Sequence, residues 1–204
     1  MKRGPWLDFW FAFLCIFGGL SLPFAGLQRA YVGAHAALGN ALLPSSLGSG
    51  VQLVFRSATE SAWSLTLVVT PLVPAAPLQL PMDLRTLVYL PTACFVALAL
   101  ATPAASARRK LAVLGGGLLI LQPLLWLLLA LPVVSFLGGT GPVRAFTLGL
   151  GTHAVLQVSY RALVASPGMA YFIPLLLWWV LVGTRGFPKT EHSVRNPKSS
   201  AATT

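Results

Sequence analysis

Acidic side chains are scarce in this sequence: four Asp and Glu stand against 14 Lys and Arg in 204 residues, a formal charge of +10. Charged residues of every kind reach only 9%, whereas soluble domains carry about 25%. A soluble fold this poor in charge could not cover its surface with polar groups. Cysteine is scarce too. Cys15 and Cys94 both sit in apolar runs, which excludes a disulfide framework and a zinc spacing and leaves two buried free thiols. The three histidines, His35, His153 and His192, fall on separate segments, so no metal site is expected. No P-loop, zinc motif, nucleotide fingerprint or serine elbow is present, and no cofactor is expected. The basic balance does not indicate nucleic acid, because Lys and Arg lie in short groups beside apolar runs rather than on one solvated face.

What the chain has is hydrophobicity, 56% of its residues, gathered in blocks. A bilayer span needs roughly 20 mostly apolar residues. Four runs approach this: 9–27, 86–107, 111–137 and 169–184. They predict an all-α polytopic membrane protein with four transmembrane helices and a small extracytoplasmic helix plus β-hairpin insertion. Residues 1–27 read as an uncleaved signal anchor, because Pro23 and Ala25 fit a small-x-small cleavage site poorly.

Basic residues orient such spans, since Lys and Arg beside a span stay on the cytoplasmic side. Lys2, Arg3, Arg108, Arg109, Lys110, Arg185, Lys189, Arg195 and Lys198 all fall on one side. That places both termini of a multi-pass membrane protein in the cytoplasm. Arg108, Arg109 and Lys110, at 108–110, then form a tight cytoplasmic turn. They serve as a topology signal with an attraction for anionic lipid headgroups. The tail, 185–204, reads as disordered and cytoplasmic.

The segment 28–85 is long enough for a small external unit. Residues 28–43 read as a helix, with Tyr31, Ala34, Leu38 and Leu42 at helical spacing. PSSLGSG breaks it. VQLVFRS and SAWSLTLVVT alternate apolar and polar residues and read as a hairpin joined through SATES. Its apolar face must rest on the membrane surface, on the 28–43 helix or on a partner. The segment 138–168 reads as an interfacial helix, with a fifth span over 145–165 as the alternative.

Within the runs, Gly115, Gly116 and Gly117 give the third a thin face for close helix approach, and Gln122 seeks an interhelical hydrogen bond. Asp8 lies at the mouth of the first run, and Asp83 can pair with Arg85. Cys94 invites comparison with a nucleophile, with His153 as base and Arg144 as oxyanion-stabilising cation. Against this stands a packing role for the thiol, since reactive cysteines need an accessible, electropositive setting.

The stretches LVYLPTACFVALALATPAASARRKLAVLGGGLLILQ (87–122) and MAYFIPLLLWWVL (169–181) resemble the exosortase H-associated membrane proteins of bacteria. The resemblance extends to overall plan and covers about half the chain. It implies an accessory role, without catalytic residues, near protein sorting in a Gram-negative inner membrane. The partners expected are the lipid bilayer and, from the resemblance, an exosortase or its sorted substrates; the unshielded apolar face of the hairpin points to Arg56, Trp63, Arg85 and the hairpin edge as the contact. TACFVAL resembles the exosortase Ala-Cys-Ser-Gly start in Ala93 and Cys94, but Phe95 and Val96 replace Ser-Gly, and the third run holds no arginine. A cysteine-dependent peptidase or transpeptidase is therefore the alternative. A small transporter subunit ranks below it, for want of membrane-centred charges and repeats.

Overall fold

The computed structural model describes residues 5–42, 51–57, 62–71, 77–103, 106–138, 149–166 and 168–183. Helix α1 (Pro5–Ser21) opens with a proline at its first position, where no N–H is needed. It stops ahead of Pro23, because a proline ring clashes with a continuing helix. The chain then turns by 77° into α2 (Ala25–Leu42). Two bonds secure the last carbonyls of α1, which have no partner inside the helix. Tyr89 Oη donates to Leu20 O at 2.6 Å, and Arg85 Nη2 donates to Ser21 O at 3.4 Å.

Three strands follow, β1 (Val51–Ser57), β2 (Ser64–Pro71) and β3 (Leu78–Asp83), paired antiparallel in the order β1-β2-β3. Phe55 pairs with Leu67, which pairs with Leu80, and Leu65 pairs with Met82. Period-two alternation puts Leu53, Phe55, Leu65, Leu67, Val69 and Met82 on one buried face. Gln52, Arg56 and Thr70 face outward. The insertion is thus a sheet of three strands rather than a hairpin. Pro81 conceals β3 in the sequence; it is tolerated because β3 is an edge.

The apolar face of the sheet rests on α2. The buried stripe of that helix is Gln28, Val32, His35 and Gly39, while Leu38 and Leu42 are exposed. A side chain at Gly39 would collide with the Phe55 ring, so glycine sets how closely helix and strand approach. Beside it, Asn40 Nδ2 donates to Phe55 O at 3.0 Å, and Phe55 N–H donates to Asn40 Oδ1 at 2.7 Å. These are the bonds a further strand would make, so Asn40 occupies part of the β1 edge.

After β3, Asp83 accepts from Arg85 N–H at 2.9 Å and from the Thr86 hydroxyl at 3.0 Å, starting the next helix. That helix opens with a wide π-type turn, Arg85–Tyr89, and continues as α3 (Leu90–Ala101). The wide turn lies just ahead of Pro91, which has no N–H for the regular ladder. Pro103 follows the end of α3. Helix α4 (Ala107–Gly138) has 32 residues, α5 (Leu150–Leu163) has 14 and α6 (Met169–Gly183) has 15. Helix α3 packs on α1, α4 and α6, and α5 packs on α4 and α6.

These lengths overturn the four-span architecture. A hydrocarbon core is about 30 Å thick, and a helix rises about 1.5 Å per residue. Among the described residues only α4 is long and apolar enough to cross, or two segments if the bent α1–α2 pair counts as one. The apolar letters run on through Pro23 and Pro103, but the helices do not; the helix that holds Pro91 covers only Arg85–Ala101. The multi-pass inner-membrane topology with both termini cytoplasmic falls with the four spans. What stands is a mostly helical protein with one candidate apolar span. The readings made for Lys2, Arg3, PSSLGSG, residues 58–61, Arg144, His192 and the 185–204 tail lie outside the described residues.

Two substitutions test this packing. Asn40→Ala should cost about 1–2 kcal/mol, the worth of two part-buried hydrogen bonds, and should speed hydrogen exchange at the Phe55 amide. In α4, a side chain at Gly117 would enter the buried Phe95 ring, whereas Gly115 faces open space. Gly117→Ala should therefore destabilise by about 1–3 kcal/mol. Gly115→Ala should gain up to about 1 kcal/mol from helix propensity. Denaturant titration in detergent micelles measures both.

Candidate functional site

Two junctions gather the polar groups that the apolar helices carry. In the first, α2, the start of β2, the π-type turn and α4 meet in an aromatic cluster. Tyr31 lies 4.3 Å from His35, 5.4 Å from Tyr89 and 6.2 Å from Trp63 by ring centroids. Trp63 lies 4.4 Å from Tyr89. His35 stacks on Trp126 of α4 at 5.5 Å with the planes 5° apart. Its Nδ1 lies 2.9 Å from Tyr31 O; a carbonyl only accepts, so Nδ1 carries the proton. Burial holds the His35 pKa down, partly offset by that bond. The ring is thus a neutral packing element.

Below it, Gln122 Nε2 donates to Thr92 Oγ1 at 3.2 Å, tying α4 to α3. The Tyr31 hydroxyl is buried beside these two side chains without a hydrogen bond of good geometry to either.

The second junction joins α1, α3 and α6. Trp178 Nε1 donates to Thr102 Oγ1 at 2.9 Å, and Thr102 Oγ1 donates to Leu98 O at 2.8 Å. Phe9 stacks on Trp178 at 5.6 Å. Nearby, Lys110 Nζ donates to Leu100 O at 2.7 Å. A cation thereby meets the carbonyl-rich end of α3, where it is electrostatically favoured.

Arg108 is exposed and Arg109 half-buried in the first turn of α4, where the Ser106 hydroxyl accepts from Arg109 N–H. Arg56 is exposed on the outer face of β1, and Arg85 is half-buried against α1. Trp63 is only 7% exposed, so its ring is inside the cluster rather than on an outer contact surface. Asp8 is exposed on α1, and Gly116 is half-buried.

Cys94 is buried on α3, and burial pushes its thiol up to about 11. A catalytic thiol needs the opposite shift. His153 lies half-buried on α5, and α5 packs on α4 and α6. Among the described residues no group of three or more His, Cys, Asp or Glu could hold a metal ion. The arrangement of the described residues can position helices.

Sequence reasoning weighed His35 only as a metal ligand and passed over Asn40, Thr92, Thr102 and Trp126. Each is a single polar or amphipathic residue in an apolar context, and its partner lies on another element.

The outer surface is the most unusual feature. Trp6, Leu7, Trp10, Phe11 and Leu14 are exposed on α1. Leu111, Leu119, Ile120, Leu124 and Leu127 are exposed on α4, and Phe172, Leu175, Leu176, Trp179 and Val180 on α6. Only 39% of the most apolar 18 residues of α4 are buried. No protein-family model matches the chain, and comparison with curated proteins and with solved structures finds no match.

At neutral pH Cys94 should resist alkylation in the folded protein and react once the chain is unfolded. Its labelling should climb only as the pH approaches about 11. Mass spectrometry after pulsed labelling measures this. Fast modification of native Cys94 near neutrality would contradict the buried, protonated thiol.

Proposed function

We infer that this chain is a membrane-anchored accessory protein that performs no catalysis itself. Helix α4 crosses the bilayer, α1 and α6 lie against it with apolar flanks in lipid, and the α2–sheet unit is the part offered to partners. The observation that carries this reading is the apolar outer surface of α1, α4 and α6. Large contiguous apolar patches on a protein surface mark a membrane or protein contact. At about 1.5 Å per residue, α4 reaches about 48 Å, more than a hydrocarbon core of about 30 Å.

The partner proposed for the α2–sheet unit is an exosortase-type sorting system or its substrates, as the family resemblance implies. Arg56 and the other outward side chains of the sheet would make the contact. Crosslinking in native membranes followed by purification tests it. Recovery of the chain bound to a sorting component is expected, and recovery as a lone monomer contradicts the proposal. The cysteine-peptidase alternative is disfavoured by the raised Cys94 thiol.

Leu119 is 78% exposed near the middle of α4. Leu119→Arg should shift the chain out of the membrane fraction, since a central arginine costs about 2.5–3.5 kcal/mol on insertion. In a water-soluble fold the same exposed change would stay within about 0.5 kcal/mol. Fractionation of cells expressing each form separates the two outcomes.

A further inference from the structure

Between the sheet and the second half of α4 lies an apolar cavity of about 220 Å³. Phe55, Leu65 and Met82 line it from the sheet, and Trp126, Ala130 and Val134 from α4. Protein interiors hold few voids larger than a water molecule. An engineered apolar cavity of about 150 Å³ stays dry and takes up benzene, so this one has room for a longer hydrocarbon segment.

We propose that this cavity is a binding site for the acyl chain of a bilayer lipid, an inference that rests on α4 lying in the membrane. Three observations select that occupant. Among the described residues no ionisable side chain lines the cavity, so the ligand enters as an uncharged chain and its headgroup stays outside. The wall is continuous with the surface offered to lipid. Leu127 is 63% exposed on α4, and Leu127, Ala130 and Val134 follow at i, i+3 and i+7, one stripe of the helix. A chain lying along Leu127 therefore reaches the cavity without leaving α4. Third, the far wall is fixed. Asn40 holds the Phe55 backbone and His35 stacks on Trp126, so the sheet and α4 stand apart as a preformed slot. The bound chain would fill the space between the sheet and α4.

The probe is a phosphatidylcholine with a diazirine at the end of one acyl chain, doped into phosphatidylcholine vesicles that hold the full chain. After illumination, adducts are mapped by mass spectrometry. Adducts are expected on the outer faces of α4 and α6, at Leu119 and Leu175, and also on Phe55, Leu65 and Met82, which a bilayer alone does not reach. Ala130→Phe should fill the slot and abolish the second set while keeping the first. Val134→Phe serves if that variant fails to fold. Adducts confined to the outer faces would overturn the acyl site and leave the membrane reading intact. Adducts on Met82 that persist in a folded Ala130→Phe protein would overturn the acyl site too. An absence of adducts everywhere would overturn both.

Discussion

Helix α3 has almost no face left for water, and the rest of the structure is arranged around that constraint. Eight of its twelve residues are buried, Pro91, Ala93, Cys94, Phe95, Ala97, Leu98, Ala99 and Ala101, and it carries no charge. A polar group inside such a helix must find its partner there or cost the full penalty of desolvation. Thr92 and Thr102 each donate back to a carbonyl four residues earlier. Each then accepts from a neighbouring helix, Thr92 from Gln122 on α4 and Thr102 from Trp178 on α6. Two hydroxyls thus fix which faces of α4 and α6 turn inward. Phe9, stacked on Trp178, adds α1 to the same arrangement.

Once those inward faces are taken, the outward faces remain apolar. A helix bundle built for water places charges there; α1, α4 and α6 place Leu, Phe, Trp and Val. The α2–sheet unit is built differently. Its strands alternate, with Arg56, Gln52 and Thr70 outward, and its edges are guarded by Asn40 on one side and Pro81 on the other. Guarded edges favour recognition through outward side chains over strand addition. One part of the chain is suited to a hydrocarbon surround and the other to an aqueous one, with the aromatic cluster of Tyr31, His35, Trp63, Tyr89 and Trp126 between them.

The parts of this fold governed by short periodicities were legible. The alternation in VQLVFRS and SLTLVVT gave β1 and β2, and the spacing from Tyr31 to Leu42 gave a helix. The buried stripe of that helix was not legible, because Gln28, His35 and Gly39 do not announce a core face; their partners on the sheet and α4 make it one. The strand β3 was hidden by Pro81. The four spans failed for a related reason. Hydropathy counts letters, whereas a crossing needs a long unbroken helix; Pro23 and Pro103 cut the first two runs, and α6 has only 15 residues. The candidate chemistry failed on environment. Cys94 has the right element for a nucleophile, but its burial raises the thiol when catalysis needs it lowered.

The most direct test of the central claim, that the apolar faces of α1, α4 and α6 lie in lipid, uses the chain's own tryptophans. Trp6, Trp10 and Trp179 are exposed on those faces, while Trp63 and Trp178 are buried. The protein would be reconstituted in vesicles whose acyl chains carry bromine, a contact quencher of indole fluorescence. The account predicts strong quenching that is largely lost when Trp6, Trp10 and Trp179 are replaced by Phe. Emission equal to that in unbrominated vesicles, from a protein that floats with them, would contradict it.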